Sequence, residues 1–189
     1  MANIFFDLKI TSKKRKKEYS VGYALLAGFF WLLTITWILV IYEMSAENGT
    51  NSTETSQMVL NYLNNKLDTN VTSDSSLRVA AHISEFAILT ILSYFALDFT
   101  NRISLATSYA ESPIKIIKSD NEVCIIMTLW FTLLNALVDE YHQLFVAGRD
   151  GDIKDVLIDA IGVVVVLAVI RLIFSIYLRI RGKQEIRYE

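Results

Sequence analysis

Long apolar runs separated by short polar connections dominate this chain. Val21 to Tyr42 is 22 residues without a charged side chain, enough to cross a hydrocarbon core of about 30 Å. Phe86 to Leu97 is also uncharged, and the run reaches back to Val79 if His82 and Glu85 are accommodated near its start. Val123 to Val138 is a 16-residue uncharged run, and Val156 to Leu178 is interrupted only by Asp159 and Arg171. A span in lipid must satisfy its own backbone hydrogen bonds, so the pattern predicts four transmembrane helices, at about 21–43, 79–99, 121–140 and 155–178. A water-soluble four-helix bundle would have to hide the whole first run, which soluble bundles rarely do. A cleaved signal peptide fits poorly: its apolar core is typically about 7–15 residues and ends at a small-x-small site, which Ile41-Tyr42-Glu43-Met44 lacks.

The expected fold class is therefore an all-α membrane protein. A basic segment at 1–20 precedes a transmembrane domain at 21–178, and a basic tail at 179–189 follows. Basic residues set the orientation. The N-terminal segment has Lys9, Lys13, Lys14, Arg15, Lys16 and Lys17, and the 44–77 connection has only Lys66. The 101–121 connection has Arg102, Lys115 and Lys118, the 139–152 connection has Arg149, and the tail has Arg179, Arg181, Lys183 and Arg187. The alternation predicts that both termini are cytoplasmic and that the 44–77 and 139–152 connections face outward.

The outer loop at 44–77 is rich in Ser, Thr and Asn. Asn48-Gly49-Thr50, Asn51-Ser52-Thr53 and Asn70-Val71-Thr72 match the N-glycosylation pattern, which such a composition also produces by chance. Met58, Val59, Tyr62, Leu63 and Leu67 have a roughly helical spacing. Here the loop is expected to hold a short helix, lying on the membrane surface or capping the bundle.

Composition narrows the class further. At 53% hydrophobic residues and a mean hydropathy of +0.38, disordered, collagen-like and coiled-coil chains are excluded. Cys124 is the single cysteine, so no intramolecular disulfide exists. A net charge of −2 gives no basis for binding nucleic acid, and the N-terminal basic run is more simply a topology signal that also touches anionic lipid.

Ionisable residues inside a span cost about 2.5–3.5 kcal/mol each at a helix centre, so they call for partners. Here they gather at one membrane face. Arg78, His82 and Glu85 fall within about 60° of one another on the second span. Glu85 can fix the His82 tautomer, or the two can share a proton or a metal. The third span ends in Asp139-Glu140-Tyr141-His142-Gln143, with Asp139 and Gln143 one turn apart on one face. The glycines of Phe145-Val146-Ala147-Gly148-Arg149-Asp150-Gly151-Asp152 predict a tight turn back into the membrane. Asp150 and Asp152 fall short of a calcium loop, because Lys154 stands where an acceptor is needed. Asp155 and Asp159 open the fourth span. Asp155 is close enough to the helix N-terminus for a capping or dipole role, but Asp159 lies a turn deeper. Gly162, on the same face, admits close approach of a neighbouring helix. Arg171, about 18 Å beyond Asp159, is expected to snorkel to the inner interface. The expected site is thus Arg78, His82, Glu85, Asp139, Glu140, His142, Gln143, Arg149, Asp155 and Asp159.

These residues resemble the motifs of VanZ-like membrane proteins, known from glycopeptide-resistance gene clusters. The likeness covers about residues 20–178. It consists of Arg78, His82 and Glu85; of Asp139, Glu140, Gln143, Phe145, Gly148 and Arg149; and of Asp155, Asp159 and Gly162. Met44-Ser45-Ala46-Glu47 loosely resembles a Ser-rich motif of that family, with Glu47 where Gln is common. Val166 stands where many members have a second glycine. The resemblance implies a bacterial cell-membrane protein, some of whose relatives are linked to resistance against lipoglycopeptides such as teicoplanin. It supplies no reaction.

Two main functional readings stay open. In an enzyme, His82 would be general acid/base or nucleophile, oriented by Glu85. Asp139, Glu140 and Asp159 would add proton transfer or hold a divalent cation, and Arg78 and Arg149 would clamp a phosphate or carboxylate. A metal version would use His82, Glu85, Glu140 and Asp159. In a binding protein, the same groups, with Gln143 and Asp155, would hold a lipid head group, a lipid-linked cell-wall precursor or a lipoglycopeptide. A proton or ion transporter is a third reading. It is weakened because the inner halves of the second, third and fourth spans offer little beyond Thr90, Ser93, Thr128 and Arg171.

Overall fold

The computed structural model describes residues 18–19, 21–47, 57–58, 61–62, 64–66, 74–105, 113–149 and 151–185. Four long helices account for most of them: α1 at Val21–Ala46, α2 at Asp74–Arg102, α3 at Pro113–Gln143 and α4 at Ile153–Glu185. Each contains a stretch long and apolar enough to cross a membrane, at Val21–Ala46, Ser76–Arg102, Asn121–Gln143 and Ile153–Ile180. All four predicted spans are present.

The helices outrun the predicted spans because a helix does not stop where the hydrocarbon does. It propagates at about one hydrogen bond per residue until a breaker intervenes. Thus α3 begins at Pro113, whose fixed φ suits a first helical turn, and α4 continues past Ile180 into the basic tail. Within the 44–77 connection, the described residues 57–58, 61–62 and 64–66 are helical. The three glycosylation-type motifs, the N-terminal basic run, Asp150 and Arg187 lie outside the described residues.

One departure from an all-helical chain is a two-residue antiparallel pairing. Glu18–Tyr19 (β1) pairs with Ser104–Leu105 (β2), in register Glu18 with Leu105 and Tyr19 with Ser104. It ties the start of α1 to the α2–α3 connection, so both lie at the same end of the bundle.

The bundle is apolar outside and polar within. Leu25, Leu32, Leu39, Trp130, Leu157 and Leu172 are among many exposed apolar side chains, as expected where lipid is the solvent. Among buried described residues, polar side chains outnumber apolar ones. Without a hydrophobic drive between helices, close packing and hydrogen bonds hold such bundles together. Helix α2 packs against all three others. Its Phe86 and Leu89 meet Ile41 of α1, Ala136 of α3, and Val156, Val163 and Leu167 of α4 in one cluster.

Only one stripe of α1 is buried: Ala27, Thr34, Ile41 and Ser45. Gly162 sits where α4 crosses α2, and a methyl group there would overlap the backbone carbonyl oxygen of Ile83. The close approach expected from this glycine is therefore realised against the residue next to His82. Arg171 is two-thirds exposed and lies 3.9 Å from Glu122 of α3.

Candidate functional site

Gly162 brings α4 against α2 one residue from His82 and less than a turn from Asp159. The result is a buried pair, His82 Nδ1 to Asp159 Oδ1 at 3.1 Å, with the Asp159 side chain fully buried. Spacing along α2 predicts Glu85 as the partner that orients His82. The structure supplies Asp159 of α4 instead, because the helix crossing brings that carboxylate directly onto the ring. Glu85 remains half-buried and within electrostatic reach of His82, Asp139, Asp159 and Arg149. Its backbone carbonyl accepts a hydrogen bond from Trp37 Nε1 of α1 at 3.0 Å.

The C-terminal turn of α3 adds Asp139 and Glu140, both buried. Gln143 Nε2 donates to Asp139 Oδ2 at 3.1 Å, the i,i+4 contact expected from their shared face. Glu140 Oε1 accepts the backbone N–H of Asp152 at 2.5 Å, bridging the α3–α4 turn. That turn is built around its glycines. Gly148 has φ 76°, a left-handed conformation that disfavours other residues. A Cβ on Gly151 would lie 2.9 Å from the Glu140 backbone oxygen, too close for any real side chain.

Asp152 caps α4, its Oδ1 accepting the Lys154 N–H at 3.0 Å. This bond, with the Lys154 ammonium nearby, holds the Asp152 carboxylate below its usual range. The capping role considered for Asp155 thus belongs to Asp152. Asp155 is half-buried in the first turn of α4 and lies within electrostatic reach of His82, Glu140 and Asp159.

Arg149 reaches back across the bundle. Its Nε and Nη2 donate to the carbonyls of Glu47 and Met44, each at 3.2 Å, and its Nη1 lies 3.5 Å from Gln143 Oε1. Met44 is in the last turn of α1, where carbonyls lack helical partners. The guanidinium expected to clamp a substrate anion is therefore engaged with the end of α1. Arg78 is exposed, one turn before His82, and the structure does not bring it into the cluster.

Sequence spacing misses Ser45. It is buried, and its hydroxyl lies beside the Asp139 carboxylate without forming a hydrogen bond. The signal was available in the stripe of small and polar residues on an otherwise apolar first span, Thr34 and Ser45 included. Tyr42 is likewise missed; its ring packs on His142 with centroids 4.2 Å apart.

Four buried polar atoms of this cluster have no partner: Ser45 Oγ, Glu140 Oε2, His142 Nδ1 and Asp159 Oδ2. Native proteins leave few such atoms unsatisfied, and each is expensive in a low-dielectric interior. Among the described residues no three His, Cys, Asp or Glu side chains are grouped to hold a metal ion. The metal version with His82, Glu85, Glu140 and Asp159 thus finds no ready ligand set.

The opposite end of the bundle is polar too, contrary to the expectation of little polarity there. Asp98 takes a bidentate pair from Arg102 at 2.7 and 2.9 Å. Tyr94 donates to Asn121 Oδ1 at 2.5 Å, and Asn101 to Cys124 Sγ at 3.0 Å. Between the two ends, Thr34, Thr90, Ser93 and Thr132 each donate to a carbonyl one turn back on their own helix. Those hydroxyls are spent within their helices and build no chain of bonds from one end to the other.

Four apolar helices enclosing an acidic and imidazole cluster at one end define a multi-pass membrane protein with a buried polar site. A sequence model of the VanZ/LLP1 family matches residues 30–174, well over half the chain and inclusive of every site residue named above. The chain belongs to the VanZ/LLP1 family. No curated protein and no solved structure matches it.

Proposed function

We propose that this protein acts at the outer leaflet of a bacterial cell membrane on a lipid-linked or other envelope substrate, and thereby contributes to glycopeptide and lipoglycopeptide resistance of the teicoplanin type. The observation that carries the proposal is the buried His82–Asp159 pair set among unsatisfied polar atoms. With Nδ1–H donated to Asp159, His82 presents Nε2 as the basic nitrogen, the arrangement of a general base oriented by a carboxylate. Glu85, Asp139 and Glu140 supply further proton-transfer groups. Gln143 and Arg149 brace Asp139 and the end of α1 beside the site, and Asp155 adds a further carboxyl group in the first turn of α4. A non-catalytic receptor for a lipid head group or amphiphilic drug uses the same unsatisfied atoms; turnover of any substrate excludes it.

The experiment is expression in a teicoplanin-sensitive host. The wild-type chain is expected to raise the inhibitory concentration several-fold, and Glu140→Ala, produced at equal level, to return it to the host's value. Equal protection by both proteins would overturn the reading.

Location is tested in the same cells. Cys124 is only 1% exposed and stays silent, whereas the exposed Ala147 lies on the α3–α4 turn. A membrane-impermeant maleimide is expected to label Ala147→Cys in intact cells. Labelling only after lysis would place the site on the cytoplasmic side.

A further inference from the structure

The cluster is short of positive charge. Five carboxylates, those of Glu85, Asp139, Glu140, Asp155 and Asp159, form one electrostatically connected group. The basic groups facing them are His82, bonded to Asp159, His142, beside Asp139 with its Nδ1 bare, and Arg149, whose guanidinium also holds Met44, Glu47 and Gln143. Arg78 stands outside, exposed. An anionic head group placed here would add to the repulsion among these carboxylates, and Arg149 is already engaged.

Two of the four unsatisfied atoms, both carboxylate oxygens, point the same way, while Ser45 Oγ and His142 Nδ1 can donate as well as accept. Glu140 uses Oε1 on the Asp152 N–H and leaves Oε2 buried and bare. Asp159 uses Oδ1 on His82 and leaves Oδ2 bare in a side chain with no solvent exposure. A carboxylate already accepting from an N–H presents its second oxygen as an acceptor. What these two oxygens lack is a donor, and the number of acids in the cluster favours a charged one. A metal ion finds no group of three ligands among the described residues. An organic ammonium carries both the charge and the N–H groups.

The surface next to the cluster says what the ammonium is attached to. Tyr42 and Met44 of α1, Leu144 and Phe145 of the turn, and Ile153 and Leu157 of α4 are all exposed apolar side chains at this end of the bundle. An alkyl chain can lie along them in the lipid phase while its head enters the cluster.

We infer that the cluster receives a membrane-partitioning amine, whose ammonium N–H groups are met by the bare carboxylate oxygens of Glu140 and Asp159. The inference rests on the proposed function in taking this cluster as the working site, and it names the chemistry of what binds there.

The test uses the full chain in nanodiscs of uncharged, zwitterionic lipid. Dodecylamine, dodecanol and dodecyl phosphate are titrated against it, and binding is read from the thermal unfolding midpoint and from the fluorescence of the tryptophans, Trp37 being bonded to the Glu85 backbone. Dodecylamine is expected to raise the midpoint saturably and dodecyl phosphate to leave it unchanged. Glu140→Gln and, separately, Glu85→Gln are expected to weaken dodecylamine binding at least ten-fold; the half-buried Glu85 serves if Glu140→Gln does not fold. Equal or tighter binding of the phosphate, equal binding of dodecanol, or unchanged amine binding by both variants overturns the inference. The protection assay is scored separately. Loss of protection in Glu140→Ala without amine binding leaves the proposed function standing and removes this inference. Amine binding with full protection in Glu140→Ala does the reverse.

Discussion

Asp159→Asn is expected to abolish protection while leaving a folded protein in the membrane. Asn has the size and shape of Asp, so the fully buried position stays filled. With His82 neutral, the exchange leaves no unpaired charge, unlike removal of one partner of an ionised pair, which typically costs about 3–5 kcal/mol. What is lost is the carboxylate that holds the His82 tautomer and stabilises its protonated form. Under the proposed function His82 is a general base, and such catalysis typically contributes about 10²–10⁴-fold, so protection should be lost with it. His82→Ala should match it, and the double variant His82→Ala/Asp159→Asn should be no worse than either single change, because the two act as a unit. Additive losses in the double variant would mean that the residues work independently and that the pair is only structural.

Gly162→Val is expected to be the most disruptive single change in the bundle. Even one methyl there overlaps the Ile83 carbonyl, which is backbone and cannot swing aside. Helices α2 and α4 must separate, and overpacking of this kind typically costs about 1–3 kcal/mol for small additions. Because Ile83 adjoins His82, the same displacement lengthens the His82–Asp159 contact. Stability and protection should therefore fall together. Gly28 on α1 provides the control, since a Cβ there meets nothing within 4 Å. Gly28→Ala should be neutral or slightly stabilising, by up to about 1 kcal/mol of helix propensity. Thermal unfolding in nanodiscs decides the comparison; similar midpoints for Gly162→Val and wild type would show that α2 and α4 are not held at this crossing.

Much of this was legible in the sequence because the membrane imposes simple rules. A 22-residue uncharged run has one reading, and acidic residues in apolar runs must face a protein interior. Spacing also correctly paired Asp139 with Gln143 and marked Gly162 as a contact point. Which helix face meets which was not legible. Local spacing offers His82 the Glu one turn away, yet a helix crossing fixed by a single glycine gave it Asp159 instead. Arg78 and Arg149 carry the same charge in sequence, but one ends in solvent and the other on main-chain carbonyls, a choice made by tertiary geometry. Ser45 was marked only by its place in the Ser-rich motif, because a hydroxyl in a span most often bonds its own helix, as Thr34 does.

Arg149 gives the bundle a mechanical property. Its guanidinium grips the point where the chain leaves α1 and also touches Gln143, the residue that braces Asp139. The segment between α1 and α2 therefore departs from an anchored post. Loss of the guanidinium would therefore release the end of α1 and remove the contact on Gln143 in one step.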